Sequence, residues 1–173
     1  MRSFSISLLD SVGSGLFAAN RVGDFENLEI IECQPSGEHF LLMVDGPLAE
    51  IEKFHAWLKT QSPVRERVIH GLDPRVLRAH MSLDNARAKN SFYVLESNFV
   101  GDLFAAAHLV FEQGMDCVDL RMARGAAKKS YALFTSDVLL ADVGVIEALQ
   151  VRITTVANVT GSLRSFFDLS TKS

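Results

Sequence analysis

Long apolar runs are missing from this chain: no stretch approaches the roughly 18 residues that a membrane-crossing helix needs. The opening MRSFSISLLDSVGSG has too short an apolar core for a secretory leader. A soluble cytoplasmic protein with no membrane partner is therefore expected. Positive charge is scarce as well. With 17 Lys and Arg against 21 Asp and Glu, the net charge is −4, and no excess is left to neutralise phosphates, so nucleic acid is not an expected partner. Cysteine is limited to Cys33 and Cys117, far apart and without CxxC spacing. Reduced thiols packed in a core are expected rather than a disulfide.

The usual chemical signatures are absent too. The sequence holds no GxSxG, GxGxxG, GxxxxGK[ST] or HExxH motif and no cysteine pair at zinc spacing. The nearest approach to a phosphate loop is VGSGLFAAN at 12–20, between an expected strand and an expected helix. Its second copy carries Asp102 where an anion would have to sit, so a flexible strand-to-helix turn is the better account. His39, His55, His70, His80 and His108 are scattered one per element, without the i, i+4 spacing of a helix-borne metal site. No catalytic residue, metal or cofactor is expected.

What the chain does have is repetition. LFAAN at 16–20 returns as LFAAA at 103–107, and ISLLDSVGSGLFAAN lies over YVLESNFVGDLFAAA with Leu9-Asp10-Ser11 facing Leu95-Glu96-Ser97. Further on FLLMVDG meets YALFTSD at a slightly longer spacing, as small loop insertions would produce. In 173 residues this leaves two copies of roughly 85 residues each, enough for two small domains.

Each copy reads the same way. Phe4–Leu9 and Phe92–Leu95 are β-rich runs ending at an acidic-Ser pair. Ala-rich helices follow, and in the second copy Phe99, Leu103, Ala106, Val110 and Phe111 share one helical face. LEIIEC (28–33) and CVDLRM (117–122) alternate apolar with charged residues, as half-exposed strands do. Phe40–Val44 and Tyr131–Thr135 are third strands, reached through the turn-forming QPSGEH and ARGAAKKS. Helices are expected at Leu48–Leu58, with Pro47 as its first residue, and at Leu139–Leu149, capped by Ser136 or Asp137. Fourth strands follow at Val64–Ile69 and Val151–Val156. Short helices close both copies, DPRVLRAHM (73–81) with Asp73 as cap and GSLRSFFDL (161–169).

The expected fold is α+β: two tandem ferredoxin-like βαββαβ domains, each an antiparallel sheet with its larger helices on one face. Domain 1 spans 1–83, a polar joint 84–91, and domain 2 92–173. Trp57, beside Ile51, Phe54 and Leu58, is read as core. Arg121, Arg124, Lys128 and Lys129 form a local basic cluster in an otherwise acidic chain.

The βαββαβ order with an Ala-rich first helix and a closing helix resembles the bacterial microcompartment shell domain. LFAAN, EIIECQPSGEHFLLMVDGPLAEIEKF and VIHGLDPRVLRAHM carry the likeness in the first copy. LFAAAHLVFEQGMDCVDL, YALFTSDVLLADVGVIEAL and VRITTVANV carry it in the second. The resemblance implies a trimer of tandem chains closing into a pseudohexameric disc, with other shell proteins as further partners. It also implies a central pore lined by Pro35, Ser36 and Gly37 of one copy and Arg124, Gly125 and Ala126 of the other. Such a pore would be positive and favour small anionic metabolites. The rim lysine that knits neighbouring shell tiles is missing from both GDFENLEI and EQGMDCVD, so closure of the trimer is better supported than tiling.

Two other classes share the outline. Tandem ACT-like regulatory modules bind small effectors such as amino acids at domain interfaces. Against them, the closing helix of each copy has no role there, and the Asp-Gly motif that opens their first helix is imperfect in one copy and missing in the other. An enzyme of this shape could set Asp10 and Glu96 with a histidine as acid–base groups, although turn and capping roles suffice for both carboxylates.

Overall fold

The computed structural model describes residues 2–83, 86–123 and 129–170. Among these, the order is β1 (Arg2–Leu9), α1 (Val12–Arg21), β2 (Glu29–Ser36), β3 (His39–Pro47), α2 (Leu48–Lys59), β4 (Arg65–His70) and α3 (Pro74–His80). It then repeats as β5 (Ser91–Ser97), α4 (Val100–Glu112), β6 (Asp116–Arg121), β7 (Ser130–Ser136), α5 (Val143–Glu147), β8 (Arg152–Val156) and α6 (Gly161–Ser170). The strands form two four-stranded sheets in the orders β2-β3-β1-β4 and β6-β7-β5-β8, antiparallel throughout. The α+β tandem architecture expected from the repeat is the one observed.

In the first unit, Leu9, Phe40, Leu42 and Val44 from the sheet meet Ala18 of α1, Val22 in the 3-10 turn after it, and Ile51, Phe54 and Leu58 of α2. Register places Ser3, Ser5 and Ser7 of β1 on that same face, and all three are buried. Phe4, Ile6, Leu41 and Met43 form a second apolar row on the opposite face. In the second unit, Phe111 of α4 packs edge-on against Phe134 of β7, ring centroids 5.0 Å apart. Phe167 of α6 packs against Phe92 on the other side of that sheet, at 5.3 Å.

The chain divides into compact units at Leu72 and Asp73, earlier than residue 83. Helix α3, expected to close the first domain, belongs to the second unit, where it lies on β6 and α4. Its cap is the expected one, Asp73 accepting from the Arg75 N–H at 2.9 Å. Part of the expected joint also packs into the second unit, since Ala86 N–H donates to the Cys117 carbonyl at 3.0 Å and Lys89 pairs with Asp116 at 2.6 Å.

Three further expectations shift. Pro47 ends β3 and stands as the cap of α2 with extended ψ 141, because the strand runs through it. The helix expected at Leu139–Leu149 is reduced to α5: Asp142 at φ 50 and Gln150 at φ 62 adopt left-handed backbone, which stops helical propagation on both sides. Ser136 still caps, but it caps a turn, accepting from Val138 N–H at 3.0 Å. Asp137 instead holds the Asn90 side chain at 2.9 Å.

The repeat is offset from its letters, by one residue in the first helices and by two in the first strands. Counting from the helix caps Ser11 and Phe99, Leu16 matches Phe104, and Gly15 matches Leu103. The strands agree, because the helix-facing Leu9 pairs with Phe40 and its counterpart Ser97 pairs with Ser130. A bulky strand residue under a glycine in one unit thus becomes a small strand residue under a leucine in the other. The reason is steric: a Cβ on Gly15 would lie 2.1 Å from Phe40 Cδ1 and 2.2 Å from its Cγ.

This contact sets a prediction. Gly15→Ala gains about 1 kcal/mol of helix propensity, but forcing Phe40 off its place costs about 1–3 kcal/mol. Net destabilisation by roughly 1 kcal/mol is expected in urea unfolding, with Phe40→Leu recovering part of it in the double variant through non-additivity. A higher unfolding midpoint for Gly15→Ala would contradict the account.

Candidate functional site: the loops joining the second and third strands of each unit

The first loop is a two-residue connection between the paired Ser36 and His39. Gly37 holds φ +63, a conformation that a side chain would strain, and a glycine at the first position is what a tight II′ hairpin requires. Pro35 and Gly37 are exposed and Ser36 is half-buried, so the tip presents a hydroxyl and backbone groups to solvent. It also presents Glu38, which is exposed and which the sequence reading passed over. The signal was in PSGEH itself: the residue after the turn glycine carries a charge.

Of the second loop, Arg124, Gly125 and Ala126 lie outside the described residues, as does Lys128. Its base is described. Ser130 Oγ accepts from Ala123 N–H at 2.9 Å, closing the loop's foot. Arg121, one of the four basic residues, is paired with Asp119 at 2.8 Å, and Tyr131 donates to the same carboxylate at 2.7 Å. Burial, and then that bond to Asp119, push the Tyr131 hydroxyl up to about 12, so it remains a donor across the neutral range. Lys129 is exposed. The basic cluster therefore has one charge already matched within its own sheet.

The other sequence candidates take structural roles. Asp10 accepts from Ser14 Oγ at 2.5 Å, within a reciprocal cap in which Ser11 and Ser14 satisfy each other's backbone N–H groups at 3.2 Å. A carboxylate beside self-satisfied donors repels a phosphate, so VGSGLFAAN is a capped helix start. Glu96 sits mid-sheet, opposite Tyr131 and Arg152. Trp57 is half-buried among Phe17, Phe25 and Phe54, as a core residue should be.

The histidines are likewise dispersed. His108 Nδ1 accepts from Asp73 N–H at 3.2 Å, and His80 lies beside Phe104. His70 stands 3.4 Å from Ser3. Burial lowers the pKa of His55 despite Glu66 at 3.4 Å. Among the described residues no group of three or more His, Cys, Asp or Glu is placed to hold a metal ion, and no helix is long and apolar enough to cross a membrane.

A concavity of about 250 Å³ in the second unit is lined by Leu109, Glu112, Gln113, Asp142, Val145 and Ile146. Its lining offers two carboxylates and no cation. Gln113 Oε1 is already engaged by Ala141 N–H at 2.8 Å. An amino-acid effector would bring a carboxylate into this acidic wall.

The cysteines separate in environment. Cys117 is buried, and burial pushes its thiol up to about 12. Cys33 is exposed, contrary to the expectation that both thiols pack in a core: both cysteines lie on edge strands, but β6, which carries Cys117, is packed by α3. Ellman's reagent should therefore titrate one thiol in the native protein and the second only after denaturation. Two fast-reacting thiols in buffer would refute this placement.

Comparison with known proteins gives the fold a counterpart. No family model matches the chain, and no curated protein matches it in sequence. Among solved structures, it is similar to a microcompartments protein from Desulfitobacterium hafniense, with TM-score 0.76 and 19% identity over 95% of this chain and 99% of that one. A putative glycine cleavage system transcriptional repressor aligns at TM-score 0.30 and 12% identity over 91% and 98% of the two chains, a level of likeness that carries no argument. The α+β tandem fold of this chain is thus that of a microcompartment protein over nearly its whole length.

Proposed function

We propose that this chain is a structural, non-catalytic protein of the shell type, associated with a bacterial microcompartment in the cytoplasm. Three copies close into a pseudohexameric disc around a central pore. The observation that carries this reading is the doubled β-α-β-β-α-β-α plan, matched end to end by a microcompartment protein at TM-score 0.76. Two near-equivalent units in one chain provide six equivalent positions from three chains, and closed symmetry ends such a heterologous series.

In this arrangement Pro35, Ser36 and Gly37 alternate with Arg124, Gly125 and Ala126 around the pore, which passes small metabolites. Other shell proteins would meet its rim, where the missing lysine favours a closed disc over a tiled sheet. Glu38 tempers the positive pore expected from Arg124: three carboxylates would stand against three guanidinium groups, so the preference for anions rests on which set reaches nearer the axis.

Light scattering tests the assembly directly. A mass three times the 19.1 kDa chain, with flat discs in electron micrographs, is expected; a single-chain mass at high protein concentration would overturn the reading. For the pore, sulfate occupancy on the threefold axis of crystals should fall with Arg124→Ala and rise with Glu38→Gln. Occupancy unchanged in both variants removes the loops from the axis.

A further inference from the structure

The two first helices, α1 and α4, are equivalent by position, yet their outer faces differ. On α4 the outer face is covered by α3. Arg75 stacks on the Phe111 ring at 4.6 Å and donates to the Phe111 carbonyl at 3.0 Å. The Asp73 N–H donates to His108, and His80 lies 5.6 Å from the Phe104 ring. Val76 and Ala79 of α3 are buried. On α1 the matching positions are open: Leu16, counterpart of Phe104, is 55% exposed while Phe104 is 0% exposed. Val12, counterpart of the buried Val100, is exposed as well.

The complement of that open face is also present in this chain. Helix α6 is the positional twin of α3, with Thr160 Oγ1 accepting from Leu163 N–H where Asp73 caps α3. Counted from these caps, Leu163 matches Val76, and Phe166 matches Ala79. Leu163 and Phe166 are exposed, Phe166 at 63% against 1% for Ala79. Phe167, the next residue, is the one that holds α6 on its own sheet through Phe92; Phe166 stands about 100° round the helix from it, and Leu163 lies between the two. Both halves of the α3–α4 interface therefore recur as bare apolar surface.

Residue sizes are reversed in a complementary way. The buried residues of α3 are the small Val76 and Ala79, and the stripe on α4 is the large Phe104 and Phe111. The large Leu163 and Phe166 would meet Leu16, Asn20 and Gly23, which stand at the positions of Phe104, His108 and Phe111. Volume lost on one helix is supplied by the other, as close packing requires.

We propose that the α1 face formed by Val12 and Leu16 is the docking site for the Leu163–Phe166 ridge of α6 from a second copy of this chain. This rests on the ring reading above, to which it adds the contact that joins one chain to the next. The covered α3–α4 interface forms within one chain, and the α6–α1 interface repeats that packing across chains. The contact is heterologous, one patch on each partner, and so propagates until symmetry closes it.

A cysteine pair tests it. In a Cys33→Ser background, which removes the exposed native thiol, Leu16→Cys with Phe166→Cys should on mild oxidation give crosslinked two- and three-chain bands. Either single cysteine variant should give none. Light scattering of the reduced variant separates this contact from the ring. A three-chain mass without crosslinks overturns the α6–α1 contact and leaves the ring reading standing. Crosslinks with a mass that climbs past three chains keep the contact and overturn closure. A single-chain mass without crosslinks, or a bridge formed within one chain, overturns the contact. Independently, Leu16→Glu adds charge at an exposed position and should reduce the particle to single chains, with Phe166→Lys in the same chain restoring the wild-type mass; a wild-type mass for Leu16→Glu alone also overturns the contact.

Discussion

The grip of α3 on α4 is the interaction on which the rest of the second unit depends. Asp73 does three things there at once. Its carboxylate caps α3, it fixes the Arg75 guanidinium at 2.7 Å, and its backbone N–H engages His108. Arg75 thereby lies over the Phe111 ring, its Nη2 donating to the last turn of α4 as well as to Asp73, where a cation also meets the negative end of the helix dipole. The bond to Arg75 holds the Asp73 carboxyl below its usual range. Its contribution to stability is present above the unfolded carboxylate pKa and lost as pH falls through the lowered folded value. With both faces of α4 covered, nine of its thirteen residues are buried, which explains why it reads as hydrophobic over more of its circumference than a surface helix with a single stripe.

That grip also explains why the two copies diverged in composition while keeping one plan. Helix α4, enclosed on both sides, carries Val100, Phe104 and Phe111. Helix α1 keeps a narrower buried set, Gly15 and Ala18, and lies so close to its sheet that Gly15 admits no side chain over Phe40. The two solutions fill the same space from opposite sides, strand side chain in one and helix side chain in the other. A duplicated plan retains its topology as long as the sum of volumes at each layer is kept.

Charge follows a similar logic at the strand ends. The basic residues around the β6–β7 connection attract attention in an acidic chain, but Arg121 is matched by Asp119 and its neighbour Tyr131 shares that carboxylate. At the β2–β3 hairpin the exposed Glu38 supplies the opposing sign. Local counts of Lys and Arg overstate the free charge of a site whenever alternate strand residues bring carboxylates to the same face.

Much of this was determined by the sequence alone. Period-2 alternation located the second strand of each copy, and the Asp73-Pro74 pair placed the start of α3. The LFAAN and LFAAA echo disclosed the duplication, because each of these signals is written in residues a few positions apart. Tertiary structure decided what depends on distant partners. It sent α3 to the second unit, shifted the repeat by one residue in its first helices through the Gly15–Phe40 contact, and shortened the helix expected at 139–149 where Asp142 and Gln150 turn left-handed. It left Cys33 exposed on edge strand β2 and packed α3 on edge strand β6, which carries the buried Cys117. Periodicity reports which face of an element is apolar, but which surface comes to cover that face is a choice among long-range packings that no local pattern encodes.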